Sequence, residues 1–220
     1  MTGAIPPARN GRVLLEIQDG VAVMTLNDPS VLNAFGFKLR QDITEVLDQV
    51  EASGARCLMI TGAGRAFCSG ANLNDRDRPP RDRAAELRGE VKSDLETWYN
   101  PTFLRLRDLR IPIVTAINGI AAGAGMSLAL MGDMRIAAKS ASFLQAFARI
   151  GLVPDCGSSY VLPRMIGLAR AMELSMLAEQ LPAEKALEWG LINRVAEDAA
   201  LRGEAMVWRN GWRTGLHLWD

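Results

Sequence analysis

Residues 113–130 read IVTAINGIAAGAGMSLAL, and the change of character along this stretch decides the fold. Ile113 to Ile117 is a short run of strand-forming apolar residues. Asn118-Gly119 is a turn dipeptide, residues 121–125 hold only alanine and glycine, and 126–130 continue as a buried helix. With Ile111 and Pro112 in front, this is the longest apolar stretch of the chain. Pro112, Thr115, Asn118, Ser127, Gly119, Gly123 and Gly125 interrupt it, so it reads as strand, turn and helix rather than a membrane span.

The flanks repeat the mixture. Residues 13–17 and 21–26 alternate around Asp19-Gly20, a hairpin signal. Leu39, Ile43, Val46, Leu47 and Val50 recur at helical spacing, and residues 57–61 form a buried strand. The stretch 75–83 is charged, contains Pro79-Pro80 and is expected to be mobile. A helix is expected over 84–108, kinked or divided at Pro101. Beyond it come a strand at 135–138, helices at 158–166, 170–178 and 183–189, a stop at Gly190 and a strand at 191–195. The class is α/β, with one core domain over 1–200 and a short, atypical segment over 201–220. Residues 207–220, VWRNGWRTGLHLWD, hold three of the five tryptophans and lack a helical period. They read as a divergent terminal helix, a partner-binding segment, or an altered or frame-shifted end.

Composition removes several function classes. The 220 residues are 49% apolar and 23% charged with a formal net charge of zero, so no basic face points to nucleic acid. The N-terminus lacks a secretory apolar region. Cys57, Cys68 and Cys156 form no CxxC pair, which suits a reducing cytoplasm. His217 is the only histidine, which removes most Ser–His, Cys–His and histidine–metal chemistry. No metal or redox cofactor is expected.

Two segments carry chemistry. The first, GRAFCSGANL at 64–73, leaves a strand; the second is 118–130, with Asp133 soon after. Small residues let a ligand approach main-chain N–H groups, and two such donors converging on one oxygen make an oxyanion hole. The competing reading, equally open for either loop alone, is that glycine and alanine merely permit close helix–strand packing. Dinucleotide, phosphate-loop and GxSxG motifs fail on spacing.

Both segments, in this order, resemble the signatures of the crotonase (enoyl-CoA hydratase/isomerase) family: (A/S)GA(D/N)L after FC, and NGxAxGxGxxLAL followed by Asp. The likeness runs from the Asp19-Gly20 hairpin through Leu32-Asn33-Ala34 to Trp189-Gly190-Leu191. It implies a crotonase-like spiral of repeated ββα units with peripheral helices, an acyl-CoA thioester as substrate, and CoA as part of that substrate. It also implies an oxyanion hole from the N–H groups of Ala71 and Ala124. Ala66, Cys68, Gly70, Asn72, Leu73, Gly123 and Phe147 are the implied substrate-binding positions. A homo-oligomer, trimer or hexamer, is expected by resemblance, as is a C-terminus shorter than the family's.

The same resemblance bears on the reaction. The family's hydratases place two glutamates where this chain has Ser127 and Phe147. Losing a general acid or base forfeits about 10²–10⁴-fold in rate. Asp155, in GLVPDCGSS, matches the aspartate of family isomerases, and the fuller pattern is most similar to enoyl-CoA isomerases of phenylacetate breakdown. Spacing alone makes Asp155 a helix N-cap; the resemblance makes it the base of a double-bond isomerase. An enoyl-CoA hydratase and a catalytically silent thioester binder are the alternatives. Arg65 and Lys38 read as surface charges, Trp98 and Phe103 as core, and Cys68 and Cys156 as packing groups.

Overall fold

The computed structural model describes residues 7–213. Strands β1 (Val13–Gln18) and β2 (Val21–Leu26) form an antiparallel hairpin. Asp19 and Gly20 both take positive φ, 54° and 83°, as a two-residue turn matched to strand twist demands. Helix α1 (Phe37–Ala52) follows, burying Leu39, Ile43, Leu47 and Val50.

From there the chain alternates between two sheets. β3 (Cys57–Gly62) pairs with β2 in parallel, and β4 (Ala66–Cys68) steps into a second sheet. β5 (Ile113–Ile117) returns to the first sheet and β6 (Ile120–Ala122) goes to the second, leading into a short helix. β7 (Met134–Ala138) and β8 (Ser142–Leu144) repeat the step, β9 (Gln180–Pro182) adds to the second sheet, and β10 (Arg194–Ala196) closes the first. The result is a six-stranded sheet, β1-β2-β3-β5-β7-β10, and a four-stranded one, β4-β6-β8-β9. This is the spiral of ββα units. Burial on both faces explains why β3 and β5 read as continuous apolar runs. Leu58, Ile60 and Ile117 are wholly buried, and each such side chain contributes about 1.5–3 kcal/mol.

The remaining helices are α2 (Arg83–Leu87), α3 (Asn100–Asp108), α4 (Ala124–Ala129), α5 (Ser158–Ile166), α6 (Leu168–Leu177), α7 (Ala183–Glu188) and α8 (Leu201–Arg213). The single helix expected over 84–108 is broken, but not by Pro101. Pro101 sits in the first turn of α3, where its missing N–H costs nothing. The interruption falls where Gly89 turns left-handed, φ 72°, and a π-helical turn at Leu95–Tyr99 leads into α3. The charged stretch after residue 75 is tied to its surroundings: Lys38 pairs with Asp77 at 2.9 Å and Arg78 with Asp94 at 2.6 Å. Gly190 ends α7 as expected, with φ 78° and its N–H on the Leu187 carbonyl. The last strand lies at Arg194–Ala196 rather than 191–195. Helix α8 continues into the segment expected to lack a helical period, and residues 214–220, His217 among them, lie outside the described residues.

Candidate active site

β4, β6 and β8 are neighbours and parallel, so their carboxyl ends lie side by side. Sheets of parallel strands gather ligand sites at that edge. Three segments leave it together: residues 69–73 after β4, Gly123 and α4 after β6, and the 3₁₀ turn Ala146–Ile150 after β8. The Gly123 N–H donates to the Leu144 carbonyl at 2.8 Å, joining the last two.

Glycine brings the first two together. A Cβ on Gly125 would lie 2.1 Å from the Cys68 carbonyl oxygen, and one on Gly70 would lie 2.7 Å from the Ala122 oxygen and 3.7 Å from the Ala124 nitrogen. Close packing is therefore the role of these two glycines. The same packing draws the loop containing Ala71 against the start of α4.

Residues 31–35 set the direction of the Ala71 N–H. Ser69 N–H donates to the Leu32 carbonyl, Phe35 N–H to Gly70 at 2.7 Å, and Asn72 N–H to Phe35 at 3.3 Å, with Phe35 and Ala71 bridged in parallel. In extended chain, successive peptide groups point to opposite sides. With the Gly70 carbonyl and Asn72 N–H turned toward Phe35, the Ala71 N–H points away from it. Neither the Ala71 nor the Ala124 N–H has an acceptor among the described residues. Ala124 is buried and Ala71 exposed. Donors left open in this way favour an anionic oxygen.

Asp155 stands on the turn that opens α5. Its side chain does not cap that helix, as spacing alone suggested: the N-cap is Gly157, with no side-chain capping bond. The Asp155 carbonyl does that work, accepting from the Ser158 N–H at 3.0 Å and the Ser158 Oγ at 2.9 Å. Ser127, on α4 one turn beyond Ala124, donates its Oγ to the same carbonyl at 3.3 Å. The carboxylate is left over. Its Oδ1 is buried without a hydrogen-bond partner. Burial pushes the carboxyl above its ordinary value, while a hydrogen bond from the Cys156 thiol pulls the other way. Cys156, at φ 53°, and Gly157, at φ 81°, carry the turn into α5. A non-glycine residue there costs about 1 kcal/mol or more, a local strain the surrounding structure holds in place.

The other expected site residues divide. Gly70 and Gly123 line the two loops, and Asn72 accepts from the Asn74 N–H at 3.1 Å, a local loop bond. Leu73 is 71% exposed. Ala66, Cys68 and Phe147 are buried, so their side chains face the interior. The Cys68 thiol is pushed up to about 12 by burial, and the Cys156 thiol upward by burial and by Asp155, which leaves both protonated and unreactive. Arg65 is exposed. Trp98 meets Phe37 edge-on at 5.5 Å, and Phe103 packs on Phe35 at 6.2 Å. A cavity of about 600 Å³ opens between α3 and α5, walled by Leu104, Leu109, Val161 and Met165. It reaches Cys156, Gly157 and, at the far end of the second segment, Leu130, but none of residues 64–73 or 118–129. Sequence reasoning passed over Phe35 and gave Ser127 no positive role, and nothing local in the sequence marks either residue.

Comparison with known proteins agrees with this fold. The family description "Enoyl-CoA hydratase/isomerase" matches residues 16–216. The chain is 47% identical over 194 residues to 1,2-epoxyphenylacetyl-CoA isomerase of Escherichia coli (strain K12), covering 88% of this chain and 72% of that protein. It is 43% identical over 183 residues to a probable enoyl-CoA hydratase of Rhodobacter capsulatus, covering 83% and 68%. Among solved structures, a putative enoyl-CoA hydratase from Streptomyces coelicolor A3(2) superposes with a TM-score of 0.81 at 33% identity, covering 94% of this chain and 75% of that one.

Proposed function

Because the chain belongs to the enoyl-CoA hydratase/isomerase family, we propose that it is an enoyl-CoA isomerase. In this reading the N–H groups of Ala71 and Ala124 hold the thioester oxygen of an acyl-CoA. Asp155 takes a proton from Cα of a 3-enoyl-CoA. The Cα–H electron pair delocalises onto the thioester oxygen as a dienolate, the new charge resting on the two N–H groups. Asp155 then returns the proton at Cγ, and the product is the conjugated 2-enoyl-CoA. Holding that charge in a preorganised site is worth about 2.7–4 kcal/mol per donor.

The observation that carries the reading is the state of Asp155: a carboxylate with a buried, unpartnered oxygen, excused from helix capping by its own carbonyl. Ser127 and Phe147 supply no second acid, which disfavours water addition. The likeness to a 1,2-epoxyphenylacetyl-CoA isomerase supports a ring-bearing acyl group rearranged without net oxidation. The likeness to a probable hydratase supports the runner-up, an enoyl-CoA hydratase. The protein acts as a homo-oligomer; Leu168, Met172 and Met176 recur along α6 and are exposed, an apolar face that a second copy would cover.

The test is absorbance of the conjugated thioester with a 3-enoyl-CoA and, separately, a 2-enoyl-CoA. Signal rising from the first with little loss from the second fits the isomerase. Loss from the second means hydration. No change in either, with retained binding, means a silent thioester binder.

A further inference from the structure

The amides of buried Asn33 and half-buried Asn118 meet on the Ala66 carbonyl at the start of β4. Asn33 is wholly buried, and its backbone is left-handed at φ 56°, directly after Leu32 at φ 55°. Its Oδ1 accepts from the Asp28 N–H at 2.8 Å, and its Nδ2 donates to the carbonyls of Ala63 at 2.9 Å and Ala66 at 2.8 Å. Asn118 comes from the turn that precedes the second loop. Its Oδ1 accepts from the Gly62 N–H at 3.0 Å, and its Nδ2 donates to Gly64 at 2.9 Å and to the same Ala66 carbonyl at 3.2 Å. Both N–H donors of each amide are thus committed to carbonyls within residues 63–66, and each amide oxygen accepts one main-chain N–H.

The placement matters more than the count. Ala66 begins β4, which delivers Ala71; Asn118 directly follows β5 and starts the turn into β6, which delivers Ala124. Asn33 belongs to residues 31–35, whose bonds to Ser69, Gly70 and Asn72 turn the Ala71 N–H outward. One carbonyl therefore ties together the template, the first loop and the base of the second. β4 has only three residues and an irregular register against β6, so its own ladder fixes its position weakly.

We infer that Asn33 and Asn118 are positioning residues whose shared bonds to the Ala66 carbonyl set the separation of the Ala71 and Ala124 N–H groups. This inference rests on the oxyanion-hole reading. Neither side chain touches substrate; each acts through the two donors.

The test uses the full chain and the substitutions Asn33→Asp and Asn118→Asp. Each keeps the acceptor and replaces the donating end with an oxygen facing carbonyls. Thr61→Val is the control, because the Thr61 hydroxyl bonds the Ala116 carbonyl at 2.8 Å in the same sheet without reaching Ala66. Four readouts are taken: urea stability, the red shift of an arylacryloyl-CoA thioester on binding, steady-state kcat and KM, and the crystallographic distance between the Ala71 and Ala124 nitrogens. The expected result is a changed nitrogen–nitrogen distance, a diminished red shift, and kcat lower by about 10- to 100-fold with KM within about threefold. Thr61→Val leaves the nitrogen–nitrogen distance, the red shift and kcat at wild-type values. An unchanged distance and unchanged shift in Asn118→Asp overturn the inference, and that variant decides should Asn33→Asp fail to fold. A wild-type protein that gives no red shift sinks the functional reading instead, and the nitrogen–nitrogen distance then decides the positioning role by itself.

Discussion

Gly125→Ala is the substitution most revealing of how the two loops are held. The backbone of Gly125 is ordinary helix, so a Cβ brings no torsional penalty of its own. It would, however, stand 2.1 Å from the Cys68 oxygen, 2.7 Å from the Cys68 carbonyl carbon and 2.8 Å from its Cβ. Relieving this needs α4 and β4 to separate by about 1 Å, and no rotamer can absorb it because the obstacle is main chain. Overpacking of flexible side chains costs about 1–3 kcal/mol; a rigid backbone collision belongs at or above the top of that range, at least about 3 kcal/mol. Gly54→Ala is the reference, since Gly54 has φ 68° and open space around its Cβ direction. It isolates the left-handed penalty at about 1 kcal/mol. Urea denaturation followed by far-ultraviolet dichroism reads both. The folded fraction of Gly125→Ala should also lose about 100-fold in turnover, as misplacement of reacting groups by about 1 Å does. A Gly125→Ala protein no less stable than Gly54→Ala would refute the close approach of α4 to β4, and with it the convergence of the two N–H groups.

Four further outcomes follow from the same geometry. Ala124→Pro removes one proposed donor at the first position of α4, where proline is sterically welcome; kcat should drop by about 10²–10³-fold with little change in the urea midpoint, and unchanged turnover would remove Ala124 from the hole. Asp155→Asn should abolish isomerisation, by at least about 10²-fold in stopped-flow absorbance, without lowering stability, because Oδ1 has no partner to lose. The acid limb of the kcat/KM profile should fall above the ordinary aspartate value of 3.8, since burial raises Asp155. The sign for stability is the same. Between the unfolded and folded pKa the native state binds more protons, so this carboxyl's contribution weakens as pH rises through that window. Calorimetric scans of wild type and Asp155→Asn at acid and neutral pH would show the gap widening toward neutral pH.

Much of the first sheet is legible in the sequence. Asp19-Gly20 specifies its own turn, and Leu39 to Val50 specify the face of α1, because hairpin chemistry and helical period act over a few residues. The second sheet is not legible. Each of its strands has three residues, too few for an alternation to register, and β4 and β6 lie inside glycine- and alanine-rich stretches that read as loop. The glycines and alanines of the two loops are visible, but that Gly70 and Gly125 serve packing emerges only once Cys68 and Ala122 are seen beside them. Asp155 is the opposite case. Its residue type and place before α5 suggest a cap, and only the Ser158 and Ser127 bonds to its carbonyl show that the carboxylate has been relieved of that duty.

That division between the main chain and the side chain of Asp155 has an evolutionary reading. The turn is secured by a carbonyl that every amino acid possesses, and the two open donors are amides that nearly every amino acid possesses. Neither depends on what the side chain at 155 happens to be. On the proposed reading, a lineage built on such a chassis can exchange the reactive group at one position while inheriting the polarising half of the site intact. New reactions then become reachable by single substitutions, each tried on a background that is already folded and already able to hold a charge.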